Sequence, residues 1–572
     1  MIRNFSIVFS FVLVAVVGPC AVHVYAQGQD NLPSAFDQVV DRAIFQETTL
    51  LKILRGEHPV AETYIQDMGP DPDFGAVPVA DHYFLGKLDL SHGVTTDSFM
   101  PKSNTVSGVK THTLGAFSRL FSVQYFPRGF AQTLLIDGAG FDRAHYDFEF
   151  VKREFLGDVR TYVINVAPKK DAGSGRFTGR IWVEDREFNI VRFNGTYSQA
   201  HKGQFYMHFD SWRVNCGPDL WVPFETYSEE SDLPYALGTR KLRFKAVTRV
   251  WGFTTAGDRH QSEFTNLTVD LPSVRDSSDQ AADNSPVESL RAWQREGEDN
   301  VLDRLEKSNL LAPPADVEKI LDTVVNNLVV TNDLNILPEV RTRVILTTPL
   351  ESFTVGHTIV ISRGMLDTLP DEASLAAILA HELAHIALGQ EIDTKFAFSD
   401  RAIFDDEATL QRFRFARPQA EEDAANARAL ELIQKSPYND KLNQVGLFLK
   451  ALADASDRLP NLIKPLFGSK IAANNNVLRM SALLERAPQL QKSRTDQIAA
   501  LPLGARTSLD PWNDRLRMTK MRSIPLLSAR EKMPFELTPV YLHLTYESAA
   551  DAQLAGDFPA EPQSSSDVAL RK

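Results

Sequence analysis

From residue 33 to 68 the apolar positions follow a helical repeat. Phe36, Val39, Val40, Ile44, Leu50, Leu51 and Ile53 recur at about every third or fourth place, and the spacing predicts helix over the stretch. From about residue 80 to 270 the pattern shortens to alternating runs between turn residues. The clearest is GRFTGRIWVEDREFNIVRFNGTY, 175–197, where aromatic and branched residues flank a polar EDRE turn and predict a hairpin. YVINVAP, QFYMHFDSWRV and LRFKAVTRVW continue in the same style. The expectation is a curved antiparallel sheet with a helix against it.

Residues 273–289, SVRDSSDQAADNSPVES, are small and polar and read as linker. Beyond them the pattern is mostly helical, interrupted by strand-like RVILTT at 343–348 and TIVIS at 358–362. The chain from 556, GDFPAEPQSSSDVALRK, has the composition of a disordered tail. No internal repeat is present. The fold class expected is α+β: a β-rich N-terminal domain over 30–272, a linker over 273–300, a mainly helical domain with a small sheet over 301–555, and the tail over 556–572.

Composition narrows the setting. With 572 residues, 43% of them hydrophobic, the chain can build two or three cores. A net charge of −13 with no dense Lys/Arg cluster excludes nucleic acid as the expected partner. Arg3, an apolar run from Phe5 to Val17 and then Val24-Tyr25-Ala26 have the layout of a secretory signal peptide over 1–26. The apolar run is short for a membrane span of about 20 residues. Cleavage after Ala26 leaves Cys216 as the one cysteine, so no internal disulfide is expected. No later stretch is apolar enough to span a bilayer. These features predict a mature chain without a transmembrane segment, in a periplasm or secreted.

The candidate chemistry lies in TLPDEASLAAILAHELAHIALGQ, 368–390. Pro370, Asp371 and Glu372 suit a helix start and Gly389 its end. Leu375, Leu379, Leu383 and Ile386 form one apolar stripe, with His381 and His385 at its edge, one turn apart. Two imidazoles at i and i+4 can bind one Zn²⁺ from a single helix, and Glu382 beside the first can act as general base toward water. Zinc lowers the pKa of bound water to about 7. The alternative is a buried helix that merely carries histidines; the helical phase, with both imidazoles on one face, favours the metal.

Residues 343–390 resemble the zinc peptidase family that includes HtpX, the CAAX prenyl proteases and the periplasmic BepA-like proteases. The pieces that match are Glu351-Ser352-Phe353, Gly356, TIVIS, Gly364-Met365-Leu366 and the HELAH helix. The resemblance covers roughly 310–440 and implies a gluzincin: Zn²⁺ held by His381, His385 and a third ligand, Glu422, with Glu382 as base. It also implies that substrate lies extended along the strand Thr358, Ile359, Val360, Ile361 and Ser362, paired through the main chain. Two departures stand out. Asn426, four residues after Glu422, replaces an aspartate and is expected to orient a ligand histidine. Asp510-Pro511 replaces a His-Pro pair, leaving Arg515 as the candidate for the substrate or its oxyanion. The sheet of 80–270 resembles the half-barrel of outer-membrane lipoprotein-sorting proteins in GRIWVEDREFNIVRF and WVPFETY.

The function expected is an exported zinc metalloendopeptidase acting on unfolded or misassembled envelope proteins, with envelope lipoproteins or outer-membrane assembly factors as associates. The alternative is a non-proteolytic chaperone or lipoprotein-binding protein with a degenerate peptidase domain, which Asn426 and Asp510 favour.

Overall fold

A computed structural model describes residues 35–72, 75–90, 95–98, 128–138, 140–173, 175–198, 208–217, 220–234, 241–253, 286–392, 413, 415–491, 507–509, 514–518, 535–537, 539 and 541–546. The expected signal segment, the tail from 556, and Asp510 lie outside them. Helix α1 (Ala35–Leu54) ends where Gly56 and Pro59 break the repeat. The continuation, expected helical to 68, is instead strand β1 (Val60–Asp71). Its alternation of Val60, Glu62, Tyr64 and Gln66 with Ala61, Thr63 and Ile65 serves two different faces, which overrides the helical spacing seen in sequence.

β1 sits inside one ten-stranded antiparallel sheet. The others are β2 (Gly75–Asp89), β3 (Thr95–Ser98), β4 (Tyr146–Leu156), β5 (Val159–Pro168), β6 (Phe177–Glu184), β7 (Ile190–Tyr197), β8 (Phe209–Gly217), β9 (Leu220–Pro234) and β10 (Lys241–Trp251), in the order β3-β2-β1-β10-β9-β8-β7-β6-β5-β4. The expected hairpin is β6–β7, turning through the EDRE residues. One face carries α1: Val40 and Ala43 pack among Phe177, Phe193, Tyr197 and Phe209, and Leu50 and Leu54 pack on Ala61 and Val250. Glu47 anchors the helix there through a buried bidentate pair, Arg213 Nη1 to Oε2 at 2.6 Å and Nη2 to Oε1 at 2.8 Å. Both ends of such a pair need each other, since a lone buried charge costs about 3–5 kcal/mol.

A short helix, α2 (Arg128–Gln132), lies between β3 and β4 in the chain. The opposite face of the sheet meets the rest of the chain. After α3 (Pro286–Lys307) and α4 (Asp316–Thr331) comes a three-stranded sheet of β11 (Arg341–Ile345), β12 (Ser352–Val355) and β13 (Thr358–Ser362), then helices α5 (Arg363–Thr368), α6 (Glu372–Ala387), α7 (Gln419–Gln434), α8 (Leu442–Ala455) and α9 (Pro460–Ile463). The fold is thus α+β, as expected. The stretch that reads as linker to residue 300 is helical from Pro286, a proline at a helix start where its missing N–H is harmless, and Val301, Leu302 and Leu305 of that helix are buried. Among the described residues no helix is long and apolar enough to cross a membrane.

One core joins the two halves. Tyr64, Leu85, Val247 and Trp251 of the large sheet cluster with Leu305, Leu310, Val344 and Leu350. Polar contacts register the joint: Thr348 donates through its N–H and hydroxyl to Glu62 at 2.5 and 2.8 Å, and Trp251 Nε1 donates to Asn309 O at 2.7 Å. The Asp81 carboxylate receives three hydrogen bonds across the joint, from Asn461 N and Nδ2 and from Leu462 N. Residues 541–546 cover another part of the same face, with Leu544 among Trp182, Trp212 and Trp221. Asp81→Ala leaves the Asn461 and Leu462 N–H groups without acceptors and should cost about 2–4 kcal/mol, from the usual penalty for stranded donors to a charged group. Chemical denaturation should show one transition at lower midpoint; two transitions in the wild type would contradict the shared core.

Candidate metal centre

Helix α6 is built to place two imidazoles. Asp371 caps its start by accepting from Ser374 N at 2.8 Å. At its end Gly389 takes a left-handed φ of 65°, donating to Ile386 O at 3.0 Å while Gln390 N donates to His385 O at 3.1 Å. This double return is the Schellman arrangement, which favours glycine. It swings the Gln390 side chain back, so that its Oε1 lies 2.5 Å from His385 Nδ1. His385 is thereby oriented with Nε2 inward. Nothing in the sequence pattern distinguishes Gln390 from an ordinary polar residue after a helix.

Helix α7 supplies the third group. Its buried face is Glu422, Ala425, Ala429, Leu432 and Ile433, while Glu421 pairs with Arg417 and Asp423 with Gln419 away from the histidines. His381, His385 and Glu422 each offer a ligand atom within 4.8 Å of the others. Glu422 Oε2 is 3.2 Å from His381 Nε2 and Oε1 is 3.8 Å from His385 Nε2, and the two Nε2 atoms face each other at 3.1 Å. All three residues are buried.

The electrostatics fit a metal-binding state. Burial, reinforced by Arg479, pushes His381 down to about 4, and burial lowers His385 too. Burial would raise Glu422, but its bond to His381 and the Arg479 charge outweigh that and hold it at about 2. Metal ligands must be deprotonated imidazole and ionised carboxylate, and these groups are so at neutral pH. Among the described residues the buried Glu422 Oε1 has no hydrogen-bond partner, an orphan that a cation would satisfy. The residues present therefore fit a metal ion.

Glu382 is also buried, accepting from Ser352 Oγ at 2.7 Å and Arg479 Nη1 at 2.9 Å. Burial alone would raise its pKa; Arg479 and the two imidazoles together hold it below the ordinary range. Arg479 is the residue that sequence reasoning missed. It also donates to Ser352 Oγ at 2.9 Å, and its Nε lies 3.5 Å from Glu422 Oε2. The arginine expected here, Arg515, stands instead at the head of β15 (Leu516–Met518), a hairpin with β14 (Thr507–Leu509), whose Thr507 bonds Asp367 of α5.

Two further expectations are corrected. Asn426 does not hold a ligand histidine: its Nδ2 donates to Leu478 O at 3.2 Å and its Oδ1 accepts from Met480 N at 2.8 Å, on either side of Arg479. One turn beyond Glu422, it faces the incoming 478–480 segment. The strand Thr358–Ser362 is not an edge. It is β13, central between β11 and β12, so both sides of its main chain are already paired. On the β12 side the outer strand is β12 itself. There Phe415 stacks on Phe353 at 4.7 Å, Arg417 donates to Thr354 Oγ1 at 2.8 Å, and Gly468 lies so close to Ser352 O that an added Cβ would come within 2.8 Å.

Comparison of the chain with known families brings this geometry to a type. Residues 318–399 match the Peptidase family M48 model. The matched segment runs from α4 through β11–β13 and past α6 to residue 399 and contains His381, Glu382 and His385, whereas Glu422, Asn426 and Arg479 come from the chain that follows it. A comparison with curated protein sequences gives no match. The M48 domain supports a metallopeptidase function, and the geometry adds the carboxylate from α7 to its two histidines. Glu422→Ala should weaken zinc binding by more than about 100-fold, beyond what loss of an outer partner costs, while Glu421→Ala and Asp423→Ala bind as wild type. Competition titration with a chromophoric chelator reads this; weakening in Glu421→Ala alone would misplace the third ligand.

Proposed function

We propose that this chain is an exported zinc metalloendopeptidase that hydrolyses peptide bonds in unfolded or misassembled proteins. The observation that carries the reading is the convergence of His381, His385 and Glu422 from two helices with Glu382 beside them. Two imidazoles and one carboxylate are the donor set of catalytic zinc sites, which keep a position open. Zinc held by these residues supplies Lewis acidity toward the substrate carbonyl and toward water. Glu382, ionised at neutral pH, takes the proton as water attacks and can pass it to the leaving amine. Arg479, held beside Glu382, would supply a fixed cation to the negative charge that develops on the carbonyl oxygen.

The depth of the site supports an unfolded substrate, because an extended segment reaches buried side chains where a folded surface cannot. Export rests on the layout of residues 1–26, and a mature N-terminus at Gln27 is its signature. Association with envelope lipoproteins or outer-membrane assembly factors belongs to the same proposal. One observation favours a second reading, a non-proteolytic chaperone or lipoprotein-binding protein: Arg479 bridges Glu382 and Glu422, so the chain's own cation lies across the reacting groups.

Glu382→Gln separates the two readings. The amide keeps the shape but cannot take a proton, so zinc content should match wild type while cleavage of an unfolded protein falls by about 10²–10⁴-fold, the usual worth of a general base. Equal cleavage by wild type and variant would place the base elsewhere. A zinc-loaded wild type that cleaves nothing would favour the second reading.

A further inference from the structure

We propose that Asn426 is the positioning residue for Arg479, and that this amide clamp sets how strongly the site binds its metal. Arg479 precedes a residue in an unusual conformation: Met480 has φ 54° and ψ 36°, left-handed values that a side chain of this size seldom adopts. Such a conformation persists only where its surroundings hold it. Asn426 does so from both sides, taking the Met480 N–H on its carbonyl and giving its own N–H to the Leu478 carbonyl. The clamp needs one donor and one acceptor at once. An amide offers both, whereas an ionised carboxylate offers only acceptors and would face the Leu478 oxygen unfavourably. The asparagine is thus suited to its place, not a weakened ligand-orienting acid.

Placement on α7 gives the clamp its meaning. Glu422 and Asn426 are four residues apart on one helix face. The element that supplies the metal-binding carboxylate therefore also fixes the arginine whose Nε lies 3.5 Å from it. The guanidinium stays charged at all relevant pH. It opposes a divalent cation at Glu422, and it screens Glu382, which it contacts at 2.9 Å. A loosened Arg479 should leave Glu422 freer for metal and Glu382 without its cation. For turnover this rests on the peptidase reading; for metal affinity it rests on the ligand group alone.

The test is a zinc titration of the metal-depleted full chain carrying Asn426→Leu, Arg479→Ala or both, with Asn426→Ala in place of the leucine if that variant does not fold. Arg479→Ala should bind zinc about ten-fold tighter, the effect of removing one nearby buried charge. Asn426→Leu should shift affinity in the same direction. In the Arg479→Ala background, Asn426→Leu should change affinity by less than about two-fold, because residues acting through one another are not additive. Peptide hydrolysis should follow the same non-additive pattern, with kcat reduced in both single variants. Zinc binding that weakens in Asn426→Leu, that is unchanged in Arg479→Ala, or that shifts additively in the double variant would overturn the clamp. Wild type that binds zinc but cleaves nothing would defeat the peptidase reading and leave the titration to decide the clamp.

Discussion

Two ionised carboxylates and two neutral imidazoles share a space from which water is nearly excluded, and everything around the site answers that charge. Isolated buried charges are too costly to persist without partners. Glu382 and Glu422 contribute two negative charges and Arg479 returns one positive, so the cluster keeps one net negative charge. A divalent cation is the natural complement. Arg479 alone stabilises the carboxylates without neutralising them, which keeps Glu422 a ligand and Glu382 a base.

The fold supplies the elements that hold this cluster still. Helix α6 brings the histidines, its glycine-ended turn brings Gln390 to His385, and α7 brings Glu422 and Asn426 on one face. β12 brings Ser352 to Glu382, and its outer side is covered by Phe415 and Gly468. Behind them the large sheet is more than an appended domain. Glu62 holds Thr348 just before β12, and Asp81 holds α9, whose Leu462 in turn accepts from Leu350 N at 2.7 Å. The strands and loops that frame the site are therefore registered by residues that stand 286 to 381 positions earlier in the chain.

Legibility in the sequence followed the range of the interactions. His381, Glu382 and His385 are readable because a single helix fixes their spacing, and Glu422 because the family resemblance places a carboxylate four residues before Asn426 on one helix. The β6–β7 hairpin was readable from its polar turn. Residues 60–68 were misjudged because a strand that buries both faces loses clean alternation, and its apolar positions then imitate a helix. The pairing of substrate along β13 is not borne out because sheet order depends on long-range pairing that no local pattern carries. Arg479 was missed for the same reason: 57 residues separate it from Glu422, and a left-handed turn together with an amide on another helix delivers it. Arg515 had the right residue type and a suggestive neighbourhood in sequence, but it sits on a different hairpin.

On the proposed reading, a metal held by His381, His385 and Glu422 drives peptide-bond hydrolysis, and removing it must stop the reaction. The most direct measurement is cleavage of an unfolded protein by the purified full chain before chelation, after chelation, and after zinc is restored to the chelated sample. Cleavage should stop with the chelator and return with zinc. Cleavage that continues at the same rate in metal-depleted protein would contradict that reading.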